Sequence, residues 1–164
     1  MMWNVAILSI SDFVSKGEAE DTSAQVIREL IEEEMSGEVV DYRVVPQAMD
    51  EIMAALIEMS DYYKADLILT SGGIGLTPRE VTPEATAKVV DRLAPGFSEL
   101  IRARTDQSSF HPMFNRGISG IRGKTLIINL PGSPKSVHES LNVILPQLPL
   151  AMSAISSRGQ EYSA

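Results

Sequence analysis

The 164-residue chain contains no cysteine. That excludes disulfides, thiolate metal sites and a cysteine nucleophile, and it fits a reducing, cytoplasmic setting. Histidine occurs twice, at His111 and His138, without the spacing of a metal-binding pair. Aromatic residues are 5% of the chain, so Leu, Ile, Val, Met and Ala must fill the interior. No apolar run approaches the roughly 20 residues that a membrane helix requires. The start, Met1-Met2-Trp3-Asn4, lacks the basic region and apolar core of a signal peptide. Cations are the minority, 14 Lys and Arg against 22 Asp and Glu, and the net charge of −8 argues against general nucleic-acid binding.

The cation deficit is uneven. Residues 1–66 hold 15 acidic and 4 basic side chains, whereas residues 67–164 hold 7 acidic and 10 basic. The basic part contains two loops of one design. In the first, Leu67-Ile68-Leu69-Thr70-Ser71 runs into Gly72-Gly73-Ile74-Gly75 and then Thr82-Pro83-Glu84. In the second, Leu126-Ile127-Ile128-Asn129-Leu130 runs into Pro131-Gly132-Ser133-Pro134-Lys135. Each reads as a buried strand that empties into a glycine turn and opens a helix. Anionic ligands are held at such places, where backbone N–H groups and the positive helix end face the loop. Two such loops in one small domain suit a polyphosphate or two phosphorylated substrates.

The remaining elements follow from periodicity. Val5 to Ile10 is an apolar strand, and Val40, Tyr42 and Val44 mark a second strand stopped by Pro46. Asp21 or Thr22 caps a helix with Val26, Ile27, Leu30 and Ile31 on one face. Ile52, Met53, Leu56 and Ile57 mark another helix. Thr82 caps a helix expected to run to about Leu93, with Pro83 at its first position. Further helices carry Phe97, Leu100 and Ile101, then Val137, Leu141 and Ile144, then Leu148 to Ile155. Residues 106–123 read as irregular. Alternating strands and helices predict an α/β domain whose mostly parallel sheet is covered on both faces. Residues 1–158 form the expected domain, with 159–164 as a flexible tail.

Asp12 and Glu80 follow strands and are the carboxylates best placed to hold Mg²⁺ against phosphate oxygens. Asp50 reads as a helix cap and Glu84 as a partner of the helix dipole. Among the cations, Arg79, Arg116, Arg122, Lys124 and Lys135 lie near enough in sequence to the loops to meet phosphate; each taken singly is more often a solvated charge. Lys135 would sit in the first turn of a helix, where it opposes the dipole unless an anion binds there.

Several runs occur in a characteristic order. They are Leu8-Ser9-Ile10-Ser11-Asp12, the Thr70 to Gly75 loop, Pro78-Arg79-Glu80-Val81-Thr82-Pro83-Glu84-Ala85-Thr86, Ala94-Pro95-Gly96-Phe97, Gly120-Ile121-Arg122-Gly123-Lys124 and Leu130-Pro131-Gly132-Ser133-Pro134-Lys135. Over nearly its whole length the chain resembles the MogA-type molybdopterin adenylyltransferases and their MoaB and gephyrin G-domain relatives. The segments around Gly96 and Pro131 look more like MogA than MoaB. The resemblance implies a Rossmann-like three-layer α/β/α fold and a homotrimer. It implies transfer of AMP from Mg²⁺-ATP to molybdopterin, release of pyrophosphate, and delivery of the product to a metal-insertion protein. Carried over by position, Thr70, Ser71, Gly72, Gly73 and Gly75 bind nucleotide, while Ser9, Asp12 and Glu80 surround the metal and reacting phosphates. Ser9, Pro131, Gly132, Ser133 and Lys135 frame the pterin phosphate, with Arg116 nearby. The chain departs from the family pattern at Ile74 (usually Thr), Gln47 (commonly Asp), Glu80 (usually Asp) and Asn115 (usually Ser). These departures bear on rate and metal affinity, and they open the alternative of a non-catalytic, MoaB-like molybdopterin-binding protein.

Overall fold

The computed structural model describes residues 2–105 and 111–156; the expected tail at 159–164 lies outside them. In chain order the elements are β1 (Trp3–Ile10), α1 (Asp12–Ser15), α2 (Thr22–Glu34), β2 (Gly37–Val45), α3 (Met49–Asp61), β3 (Leu67–Ser71), α4 (Thr82–Val89), β4 (Arg92–Leu93), α5 (Gly96–Arg104), β5 (Ser119–Arg122), β6 (Thr125–Leu130), α6 (Pro134–Ile144) and α7 (Leu148–Ser156). Six strands form one sheet in the order β2-β1-β3-β6-β5-β4. The first four run parallel. β5 and β4 add an antiparallel edge.

The buried strands alternate between two cores, which produces the three layers. Val5 and Ile7 of β1, Leu67 and Leu69 of β3, and Leu126, Ile128 and Leu130 of β6 meet α2, α5, α6 and α7 on one face. Ala6, Leu8 and Ile10, with Ile68 and Ile127, meet α3 and α4 on the other. Strands buried on both sides read as unbroken apolar runs, as these do. The edge strand β2 carries a bulge: Val5 pairs with Val39, but Ala6 pairs with Asp41. The extra residue shifts the alternation by one, so Val39 packs on the first core and Val45 on the second.

Four local expectations change. Asp50 does not cap α3: it lies within the first turn, and Ala48 holds the cap position without a side-chain bond. The helix α4 ends at Val89, not near Leu93, because Val90 turns extended and Arg92–Leu93 pairs with Gly120 and Ile121. Thr82 does not cap α4: its hydroxyl donates to Gly72 O (3.0 Å), tying the helix start to the glycine loop. Within the stretch read as irregular, Ser119–Arg122 forms a strand, and 106–110 lies outside the described residues. Gly120 obscured that strand. A Cβ there would lie 2.8 Å from Val90 Cγ1 and 3.0 Å from Arg92 O, so only glycine allows the edge to close.

Candidate active site

The sheet changes direction of build between β1 and β3: the chain passes outward from β1 to β2 and returns to place β3 on the other side. Ligands of open α/β sheets bind at such a switch point, beyond the carboxyl ends of the strands. A cleft of about 320 Å³ opens there. The ends of β1 and β3, the start of α2 and the loop after β6 form its walls.

The loop after β3 is tied down from several sides. Gly72 and Gly73 have φ of +97° and +73°, a region that favours glycine. A Cβ at Gly72 would press on Ile10 O, and one at Gly73 on Thr82 Oγ1. Glu80 closes the loop: its Oε1 accepts from Gly75 N (2.9 Å), and its Oε2 accepts from Thr77 N (3.1 Å) and Thr77 Oγ1 (2.9 Å). Burial pushes the Glu80 carboxyl upward, but these donors, with Arg116 nearby, outweigh it and leave the group below its ordinary value. Arg116 clamps the same loop by donating to Gly75 O (2.7 Å), Glu80 O (2.7 Å) and Glu84 Oε2 (2.7 Å).

The loop after β6 rests on the first. Gly72 N donates to Leu130 O (3.1 Å), Ser71 Oγ to Pro131 O (2.9 Å), and Ser23 Oγ to Gly132 O (2.6 Å). Ser133 caps α6, accepting from Ser136 N (3.2 Å). Gly132 to Lys135 are exposed.

Asp12 stands at the end of β1. Its Oδ1 accepts from Gln47 N (3.0 Å), and its Oδ2 accepts from Arg79 Nη2 (2.7 Å) and Nε (3.2 Å). The Arg79 guanidinium, with Gln47 N assisting, holds the Asp12 carboxyl below its usual range. Two buried polar atoms among the cleft residues have no hydrogen-bond partner, Ser9 Oγ and Gln47 Oε1. Ser9 is 3% exposed, and its hydroxyl lies near that of Tyr42 without a well-formed bond. Tyr42 donates instead to Asp21 Oδ2 (2.5 Å). Burial, reinforced by that carboxylate, raises the Tyr42 hydroxyl above its ordinary range.

Of the residues singled out in the sequence, Ser9, Asp12, Ser71, Gly72, Gly73, Glu80 and Gly132 line this cleft together. Thr70 does not: it is fully buried, and its hydroxyl accepts from Asn129 Nδ2 (3.0 Å). Gly75 lies behind Glu80, and Pro131 supports the second loop through its carbonyl. Ser133 and Lys135 stand outside the walls on the neighbouring α6 start, and Arg116 is occupied by its clamp. Arg122 and Lys124 sit at the opposite end of the sheet, where Arg122 pairs with Asp61 (2.7 Å) and donates to Val89 O.

Sequence reasoning missed Glu20 and Ser23 as wall residues, and took Asp21 only as a cap. Asp21 does cap α2, through Oδ1 and Ala24 N (3.1 Å), while its second oxygen faces Tyr42. Asn129 was also missed. Its amide reaches Thr70 and Thr86 (3.0 Å each), and its Oδ1 accepts from Ile118 N (3.1 Å). A lone Asn inside Ile127-Ile128-Asn129-Leu130 was the available signal, because a buried amide must find partners.

Comparison with known proteins agrees with this geometry. The family model described as "Probable molybdopterin binding domain" matches residues 6–150. A molybdopterin adenylyltransferase of Helicobacter pylori (strain J99) is 40% identical over 153 residues, covering 93% of this chain and 87% of that protein. Gephyrin of Dictyostelium discoideum is 39% identical, over 95% of this chain and 23% of its own length. The crystal structure of the molybdopterin biosynthesis enzyme MoaB from Thermus thermophilus superposes with a TM-score of 0.89 at 42% identity, covering 97% of this chain and 99% of that one.

Proposed function

The chain belongs to the family of probable molybdopterin binding domains, and on that premise we propose that it is a molybdopterin adenylyltransferase of molybdenum cofactor biosynthesis. A phosphate oxygen of molybdopterin attacks the α-phosphorus of ATP, the bond from that phosphorus to the β-phosphate oxygen breaks, and pyrophosphate leaves with the bonding pair. The reaction needs alignment and charge neutralisation, not a covalent protein nucleophile. The observation that carries the reading is the pair of unpartnered buried atoms, Ser9 Oγ and Gln47 Oε1, in a cleft between two glycine loops. A polar ligand in the cleft would offer partners to both side chains once they turn toward it, and unsatisfied buried polar atoms are otherwise costly.

The donor set fits Mg²⁺, which prefers oxygen ligands and completes its shell with water and substrate phosphate. Asp12 and Glu80 would hold it, with Gln47 Oε1 as a neutral third oxygen beside Asp12. When bound it would neutralise charge on the reacting phosphates. Among the described residues no three acidic or imidazole side chains converge as a ready-made metal cage, in keeping with a metal that arrives with its nucleotide. Gly72 and Gly73 present the nucleotide phosphates with backbone, and Gly132, Ser133 and Lys135 border the pterin side.

The same reading includes a homotrimer, a cytoplasmic setting and hand-over of the adenylylated pterin to a metal-insertion protein. An apolar groove lined by Ala94, Phe97, Ile121, Leu150 and Ile155 supports association, and a trimer would have three times the 17.9 kDa chain mass. No helix among the described residues is long and apolar enough to cross a membrane.

The test is pyrophosphate release from ATP and molybdopterin, with and without Mg²⁺. Metal-dependent release is expected. A second reading, molybdopterin binding without turnover, is favoured by one observation: both candidate metal carboxylates already accept protein hydrogen bonds. Confirmed pterin binding with no release establishes that reading and removes the first.

A further inference from the structure

We propose that Arg79 is the phosphate receptor of the cleft, held by Asp12 until a phosphorylated ligand takes its guanidinium. This rests on the reading that the cleft binds phosphorylated substrates.

The charge inventory motivates it. Asp12, Glu20, Asp21 and Glu80 line the cleft, and no Lys, Arg or His is among its described lining residues. A phosphate entering such a site meets like charge unless a cation comes with it or swings in. Arg79 stands at the mouth with its guanidinium already on a wall residue, 2.7 Å from Asp12 Oδ2. The other arginine at this rim cannot serve without dismantling the first loop, because Arg116 holds Gly75 O, Glu80 O and Glu84 together. Arg79 is different. Its side chain is 65% exposed, and among the described residues its hydrogen bonds go to Asp12 alone. Its backbone lies between Thr77 and Glu80, which are stapled to each other, so the side chain can move while its base stays fixed.

The exchange favours phosphate on chemical grounds. Both donors of Arg79 now crowd onto one carboxylate oxygen, whereas phosphate offers two or three oxygens to the planar fork. Exposed carboxylate pairs contribute little and are readily given up. After Arg79 leaves, Gln47 N still orients Asp12 through Oδ1, so Oδ2 becomes open in a fixed position. Ser9 Oγ, buried and without a partner in the same cleft, is an independent sign that a polar ligand completes the site. The ligand phosphate belongs either to the nucleotide or to the pterin.

The experiment is calorimetric titration in the absence of divalent metal, with inorganic pyrophosphate, ATP and molybdopterin as separate probes. Wild type, Arg79→Gln, Asp12→Asn and the double variant are compared. Loss of a charge-assisted contact predicts that Arg79→Gln weakens binding about tenfold or more, with an unchanged thermal unfolding midpoint. Weakening of pyrophosphate and ATP assigns Arg79 to the nucleotide; weakening of molybdopterin alone assigns it to the pterin phosphate. Asp12→Asn should tighten binding both by releasing Arg79 and by removing one like charge from the wall, so its gain should be clearly smaller in the Arg79→Gln background, where only the second effect is left. Arg79→Lys should restore part of the affinity, as charge without the fork. Equal affinity of Arg79→Gln and wild type overturns the proposal alone, as does an Asp12→Asn gain that is equally large with and without Arg79. A wild type that binds none of the three probes overturns both this proposal and the functional reading beneath it.

Discussion

The two glycine loops look alike in sequence and differ in what their glycines are for. In the loop after β3, Gly72 and Gly73 are demanded by the protein itself: both have positive φ, and added Cβ atoms would strike Ile10 O and Thr82 Oγ1, while one on Gly75 would push against the Glu80 carboxylate. In the loop after β6, a Cβ on Gly132 would meet nothing nearer than Gly72 Cα at 3.4 Å, an ordinary contact. The first loop is buried and holds its own shape; the second is exposed and rests upon it. A glycine signature therefore does not identify a ligand-facing backbone. The stronger sign of a ligand is a glycine that the fold does not require, and Gly132 is the one at this cleft.

The sharpest way to break this contrast is to add the same methyl group to each loop. Gly72→Ala combines a positive φ with backbone overlap that cannot move aside, and should cost about 3 kcal/mol or more. Gly132→Ala should change stability by no more than about 0.5 kcal/mol and instead weaken ligand binding. Denaturant midpoints with ligand titrations read both effects; equal destabilisation of the two variants removes the distinction.

A smaller effect is expected at Glu80, which the first loop uses as a staple. Glu80→Gln keeps one acceptor oxygen but sets an amide N–H₂ against a donor, at a cost of about 1–3 kcal/mol. Pyrophosphate release should fall about 100-fold or more if the carboxylate also serves the reacting phosphates, while pterin binding is largely kept. Turnover at the wild-type rate leaves Glu80 a loop residue only.

The smallest effect is far from both loops. Arg122 holds the Asp61 carboxyl below its ordinary value of 3.8. A carboxyl that binds protons less readily when folded adds stability above its unfolded value, and loses it as the pH falls through the folded one. Stability should therefore decline below about pH 4. Asp61→Asn should flatten that decline by less than about 1 kcal/mol, since Asp61 is half-exposed. Unfolding midpoints between pH 2 and 7 check it, and an unchanged acid limb assigns the loss to other carboxylates, Glu80 among them.

Much of the architecture was written in local patterns. Ile68 and Leu69, or Ile127 and Ile128, are unbroken apolar pairs because their strands face a core on both sides. Asp21 caps its helix as its position predicts, and Ser133 does the same for α6. The edge hairpin was hidden because Gly120 serves a contact with Val90 and Arg92, residues far away in sequence. The place of the cleft was legible because Ser9, Asp12, Gly72 and Gly73 stand at the carboxyl ends of strands that the apolar runs mark, and there they line it together. The site was opaque where roles depend on distant partners: Arg116 could be placed near the site, but not seen to spend its guanidinium on Gly75, Glu80 and Glu84. Asn129 linking Thr70 to Thr86 is the same case.

The parallel pairing of β3 with β6 joins Ser71 to Leu130 across a long stretch of chain. At about 5–20 residues per second of synthesis, β3 waits roughly 3–12 s for its neighbour to emerge. During that interval one edge of Leu67–Ser71 is an unpaired apolar ribbon, the kind of edge on which chains aggregate. The strand that brings the second glycine loop to the cleft is thus also the chain's protection during its own making. Sequence changes that delay its docking will lower yield through aggregation before they alter any chemistry.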